Sequence, residues 1–245
     1  MPELTAALGH RYWAETKLER GGREARRPLI EPAAAGKSYP QARKVPLLHD
    51  LDLLDKPFGH LLRERRSHRR YGEELLTGRE LAMLLWAAQG VTARAGSALL
   101  RTAPSAGALH PLETYVAVEK VDQLERGLYH LDVGRFELSW LSGAPLGREL
   151  AHAALEQSFL AQAAAIFLWS ALFRRNMAKY GHRGLRYILL DAGHLCQNLL
   201  LAAQAMGLAA CPVAAFYDDE VNDLLGLDGD EEAVLYLAAV GRRKE

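Results

Sequence analysis

Pro104-Ser-Ala-Gly-Ala-Leu-His-Pro111 runs directly into Leu112-Glu-Thr-Tyr-Val-Ala-Val118. The first stretch is made mostly of residues too small to hold a ligand away from the backbone. The second is a β-branched and aromatic alternation that predicts a strand over 113–119. A small-residue loop anchored by a strand is a place where sites are built, and a planar ligand suits it. The same residues also suit an ordinary turn, so the reading depends on what surrounds them.

Working outward, Thr77-Gly-Arg-Glu80 has the capping-box form ahead of Leu81, Leu84, Leu85 and Ala88, which predicts a helix over 78–89 ended by Gly90. Residues 91–103 then read as a loop. Further strands are predicted at 127–131 and 135–140, joined through the hairpin-like turn Asp132-Val-Gly-Arg135, and buried strands at 164–170 and 232–240. Between the last two, Leu185, Ile188, Leu189, Ala192, Leu195, Cys196, Leu199, Ala203 and Met206 trace a helical stripe closed by Gly207. That helix is too apolar for a surface, and its second face suggests a subunit partner. Residues 1–57 read as an arm: a short helix within 4–19 stopped by Gly21-Gly22, then extended chain from Pro28 to Pro46. Residues 58–245 read as the folded domain.

With 245 residues and 49% apolar composition the chain can bury a large core. Thirty basic residues balance thirty acidic ones, so neither nucleic acid nor an anionic membrane is an expected partner. Cys196 and Cys211 stand in apolar sequence without ligand spacing, which suits reduced thiols in the cytoplasm. The nine histidines form no His-Glu-x-x-His pattern and no metal site is expected. No Gly-x-Gly-x-x-Gly follows a strand, so tightly held NAD is not expected either.

Arg65-Arg-Ser-His-Arg69 places guanidinium groups and a hydroxyl within five residues, the donor set a phosphate monoester requires. Gly241-Arg242-Arg243, directly after a buried strand, offers a turn and two more guanidiniums. A solvated basic segment and a frayed tail would look the same.

Taken together, Arg-Arg-Ser-x-Arg, then Arg101-Thr-Ala-Pro-Ser-Ala-Gly-Ala-Leu-His-Pro-Leu-Glu113, Arg186-Tyr-Ile-Leu-Leu-Asp-Ala-Gly-His-Leu-Cys-Gln-Asn198 and Met206-Gly-Leu-Ala-Ala-Cys-Pro-Val213 resemble the FMN-dependent nitroreductase superfamily. More narrowly they resemble its SagB-type dehydrogenases, which oxidise azolines to azoles in peptide natural products. The likeness runs from about 58 to 243, and Thr16-Lys17 and Tyr39-Pro40 are similar to that branch's N-terminal signposts. Ser105-Ala-Gly-Ala108 stands where many nitroreductases have Ser-Ser-x-Asn, which favours the SagB-type branch.

The resemblance implies an α+β nitroreductase-like fold, a mixed and mainly antiparallel sheet flanked by helices, forming a homodimer with FMN sites at the interface. Arg65, Ser67 and Arg69 would hold the FMN phosphate and ribityl chain, Arg66 would assist, and Arg242 or Arg243 would close the phosphate site. Pro104, Ser105, Ala106 and Gly107 would approach the isoalloxazine from the other subunit, while Val213, Ala214 and Ala215 would turn backbone N–H groups toward flavin N5. Lys179-Tyr180 matches a Lys-Tyr pair of the azoline dehydrogenases, and removing a proton while hydride leaves the neighbouring carbon needs a positioned base. Three activities remain open. The first is a SagB-type dehydrogenase acting on a small-molecule or peptide ring. The second is a reductase of nitroaromatics or quinones with NAD(P)H as transient reductant. The third is a flavin-binding scaffold of a modification complex.

Overall fold

The computed structural model describes residues 8–18, 30–96 and 98–244. In chain order the arm carries α1 (Leu8–Glu15) and β1 (Lys44–Pro46), followed by α2 (Phe58–Glu64), α3 (Gly78–Gln89) and a hairpin, β2 (Val91–Ala95) with β3 (Ala98–Arg101). Next come β4 (Leu112–Val118), β5 (Gly127–Asp132), β6 (Glu137–Ser142), α4 (Gly147–Ala153) and β7 (Ala165–Leu172). The chain then forms α5 (Phe173–Tyr180), α6 (Gly184–Ala205), β8 (Leu208–Val213), α7 (Asp218–Leu225) and β9 (Glu232–Arg242).

Seven strands form one sheet in the order β1-β6-β5-β4-β7-β9-β8, and every ladder in it is antiparallel. The strand alternation assigns the two faces. In β7, Ala165, Phe167, Trp169 and Ala171 join the core under α3 and α6, whereas Ile166 and Leu168 join the core with Leu150 of α4 and Val221 of α7. A strand covered on both faces has no polar side to show, which is why β7 reads as an unbroken apolar run.

The long helix matches its predicted span, and Gly207 at φ +69° lets the chain leave it for β8. The capping box also forms: Thr77 accepts from the Glu80 N–H and Glu80 accepts from the Thr77 N–H. The expected loop over 91–103 is instead the β2–β3 hairpin. Val91 and Thr92 favour extended backbone, and Gly96 at φ +60° supplies the turn that an alanine-rich segment hides from an alternation test.

The described part of the arm completes the sheet. β1 pairs with β6 as an edge strand, and Lys37 inserts its ammonium between Glu232 at 2.5 Å and the Tyr115 hydroxyl at 2.7 Å. The predicted stop at Gly21-Gly22 and the start of the extended run at Pro28 lie outside the described residues. Among the described residues no helix is long and apolar enough to cross a membrane. Cys196 and Cys211 are buried free thiols.

Candidate functional site

The loop before β4 adopts a conformation its composition only half explains. Gly107 sits at φ +65°, and Ala108 at +54° and His110 at +45° follow it into the left-handed region. Such a non-glycine residue costs about 1–3 kcal/mol and persists where the surroundings fix it, as happens at functional sites. Here four contacts fix it. The Ser105 carbonyl accepts from the Ala108 N–H at 3.0 Å, and the Ser105 hydroxyl accepts from the His110 N–H at 2.9 Å. Asp191 of α6 accepts from the Ala106 N–H at 3.4 Å, and Arg175 of α5 donates to the His110 carbonyl at 3.2 Å.

Lys179 and Tyr180 form the last residues of α5, which Gly181 ends at φ +56°. Both lie on Gly107: a Cβ added there would stand 2.5 Å from the Tyr180 hydroxyl and 2.8 Å from Lys179 Nζ. Glycine at 107 is therefore required twice, by its backbone angle and by what occupies the space above it. The pair is held from behind. Tyr180 packs edge-on against Tyr187 with centroids 5.0 Å apart, and Arg183 donates to the Tyr187 hydroxyl at 2.7 Å. Arg183 also donates to the Thr16 carbonyl at 2.6 Å, and Arg186 lies 3.9 Å from the Trp13 ring centroid, so α1 and the buried Thr16 brace the same corner.

The arginine segment lies elsewhere, along the open side of β8. After α2, residues 65–71 run extended; the His68 N–H donates to the Ala210 carbonyl at 2.9 Å, and Tyr71 bridges to Arg243. Burial lowers the His68 pKa, and the charges of Arg243, Arg65 and Arg66 lower it further. Arg69 turns toward Phe159 at 5.8 Å, and Ser67 is exposed. Arg66 donates to the carbonyls of Arg63 and Arg65, both at 2.8 Å.

Arg242 does not join them. Its guanidinium grips both Glu80 oxygens, at 2.6 and 2.8 Å, and its Nε donates to the Leu75 carbonyl at 3.0 Å. Of the two terminal arginines, Arg243 is the exposed one. Gly241 likewise makes no turn. β9 continues through it, and its missing side chain admits the Tyr71 ring, which a Cβ would meet at 3.0 Å.

β8 ends at buried Val213, and Ala214 and Ala215 beyond it are exposed. Among the described residues nothing accepts from their N–H groups; Gln157 donates to the Ala215 carbonyl at 3.1 Å. The chain thus carries two constellations. One joins Gly107, Lys179 and Tyr180; the other lies along the outer edge of β8, where the 65–71 segment runs past Ala210 to Arg243 beside the start of the strand. β4 and β8 stand three strand spacings apart, roughly 14 Å, so the sheet separates the two sets.

Asp191 and Arg175 were not singled out by sequence reasoning. Asp191 is 4% exposed, and burial raises its pKa against the bonds from Ser105 and Ala106 that lower it. A polar residue inside an otherwise apolar helical stripe was the only signal of its role.

A family model described as "Nitroreductase family" matches residues 62–242. The Methanocaldococcus jannaschii protein "Putative nitroreductase MJ1384" is 39% identical over 202 residues, 82% of this chain and 96% of its own length. The trifolitoxin-processing protein TfxB of Rhizobium leguminosarum bv. trifolii is 29% identical over 154 residues, 61% of this chain, and the chain spans 41% of its length. An Anabaena variabilis crystal structure described in the same terms as the M. jannaschii protein superposes with a TM-score of 0.75 at 28% identity. That match covers 96% of this chain and 47% of the other.

Proposed function

The chain belongs to the nitroreductase family of oxidoreductases, and on that premise we propose that it is an FMN-dependent dehydrogenase of the SagB type, oxidising an azoline-like ring on a small molecule or peptide, as a homodimer. The observation that carries this reading is the seating of Lys179 and Tyr180 on Gly107. A proton-handling pair and a small-residue loop that admits a flat ligand occupy one place.

The residues fit FMN on their own chemistry. Arg65, Arg66 and Arg243 put positive charge around His68 on the 65–71 segment, which also carries the exposed Ser67 and Arg69, a donor set that suits a phosphate. The Ala214 and Ala215 N–H groups, without an acceptor among the described residues, suit flavin N5, next to Val213. Pro104, Ser105, Ala106 and Gly107 present the backbone that meets the isoalloxazine, from the partner subunit as the family resemblance implies. Bound FMN supplies a two-electron acceptor for hydride. The chain's part is to take the proton on Lys179 Nζ as the neutral amine or on the Tyr180 oxygen as the phenolate, with Tyr187 and Arg183 holding the pair in place. The likeness to a trifolitoxin-processing protein supports a peptide-borne ring.

The name of the M. jannaschii relative favours the second reading, an NAD(P)H-dependent reductase of nitroaromatics or quinones. In that case NAD(P)H bleaches the flavin rapidly and Lys179 is dispensable. The first test is the absorption spectrum of the purified protein with the mass of whatever denaturation releases. Flavin bands with an FMN mass are expected; a colourless protein that takes up no added FMN overturns the reading. Lys179→Ala is then expected to keep its flavin and lose ring oxidation. Unchanged oxidation would remove lysine from the role, and bound FMN that neither ring substrate nor NAD(P)H alters would leave a scaffold.

A further inference from the structure

Behind the 104–111 loop lies a cavity of about 480 Å³, walled by arm residues around Lys37, by Ala98 and Arg101 of the hairpin, by Ala108 and His110, and by the turn at Arg135. Its charges do not cancel. Lys37 is paired with Glu232 at 2.5 Å and Arg135 with Asp132 at 3.4 Å. Glu113 gives one oxygen to Arg175 at 2.6 Å and the other to His130 at 2.7 Å. Arg101 alone among these cations has no carboxylate within salt-bridge distance among the described residues. It donates to the neutral Gln89 side chain, and its Nε has no partner.

A guanidinium drawn out of water without a counter-charge is costly, and an arginine fork is shaped for a carboxylate. Burial and the neighbouring Arg175 push Arg101 down to about 10 against the pull of Glu113, and burial with the Arg101 charge pushes His110 down to about 4, so the wall is short of negative charge.

We propose that this cavity is a carboxylate subsite, in which Arg101 binds the carboxylate of a substrate whose ring reaches the Lys179–Tyr180 pair across the same loop. The inference rests on the dehydrogenase reading for what is oxidised, but not for the anion site itself. It narrows the substrate class to rings that carry a free carboxylate nearby.

The test uses the whole purified protein and isothermal titration with three probes: 2-phenylthiazole-4-carboxylate, its methyl ester and inorganic phosphate. The thiazole is already aromatic, so binding is read without turnover. The carboxylate is expected to bind at least tenfold more tightly than the ester or phosphate, and Arg101→Gln to erase that preference. If Arg101→Gln does not fold, Ala98→Phe, which fills the cavity and leaves its charges intact, is expected to block binding of the carboxylate. Equal binding of acid and ester, a preference for phosphate, or carboxylate binding unaffected by Ala98→Phe overturns the subsite. A carboxylate preference in a protein without flavin would sink the dehydrogenase reading and keep the subsite. Oxidation of a neutral azoline ester as fast as its acid would do the reverse.

Discussion

Gly107→Ala is the sharpest single-residue test of the loop. The added methyl meets the Tyr180 hydroxyl and Lys179 Nζ, and the left-handed backbone penalises any side chain. The added methyl displaces the pair from its seat, and the left-handed backbone adds a modest folding cost. We expect substrate turnover to drop at least tenfold with flavin content preserved, read by steady-state rates and absorbance; an unchanged rate would separate the pair from the chemistry. The two terminal arginines give a second contrast. Arg242→Ala breaks a two-pronged bond to Glu80 and is expected to cost about 1–3 kcal/mol of stability with FMN affinity nearly intact. Arg243→Ala is expected to do the opposite, weakening FMN binding about tenfold with little change in urea midpoint. The sequence made Arg242 and Arg243 equivalent, because which of two adjacent guanidiniums faces a carboxylate depends on Glu80, a residue 162 positions away. Lys179-Tyr180 was legible as a dipeptide, but its seat on Gly107 was not, since no local pattern links α5 to the 104–111 loop.

At the level of elements, local signals succeeded where one segment decides its own structure. The capping box at Thr77 and the apolar stripe ending at Gly207 foretold α3 and α6 within a residue or two. The β2–β3 hairpin was missed because Ala93, Ala95 and Ala98 carry no alternation, and α5 was missed because its polar sequence buries Arg175 and Asn176 only through tertiary partners. The 104–111 loop makes a pH prediction of its own. In the folded chain burial, then the charge of Arg101, holds His110 down to about 4, whereas an unfolded histidine takes a proton near 6.5. Below about pH 6.5 the unfolded chain therefore binds more protons, and stability falls as pH drops toward 4. The raised Asp191 pKa works in the opposite sense in the carboxylate range, and the lowered His68 pKa adds to the fall. His110→Gln removes only the first contribution. Urea midpoints measured at pH 7, 6 and 5 should decline less steeply in His110→Gln than in the wild type. Parallel declines would mean the imidazole is not shielded.

The whole molecule poses the question of whether one chain can hold a complete site. The phosphate set lies outside β8 and the ring-facing loop enters β4, with β7 and β9 between them, and the FMN reading brings the sets together across two copies. The surface offers a means. α2 packs on α6, and the two helices expose the large apolar side chains Phe58 (64%), Leu62 (53%), Leu189 (51%) and Leu190 (60%). A two-fold axis near Leu189 and Leu190 would bury them against their copies, and burial would recover about 25 cal/mol for each Å² of apolar surface removed from water. Light scattering during gel filtration should therefore give twice the 27.1 kDa of one chain. Leu190→Arg changes a residue that contributes little to its own core, so the subunit fold should lose no more than about 0.5 kcal/mol, while a charge placed in the dimer contact splits it. If the sites are shared, the monomeric variant loses its flavin colour together with its partner. A wild-type monomer that keeps FMN, or a Leu190→Arg monomer that remains yellow, would show that one chain suffices and that the loop before β4 serves its own subunit.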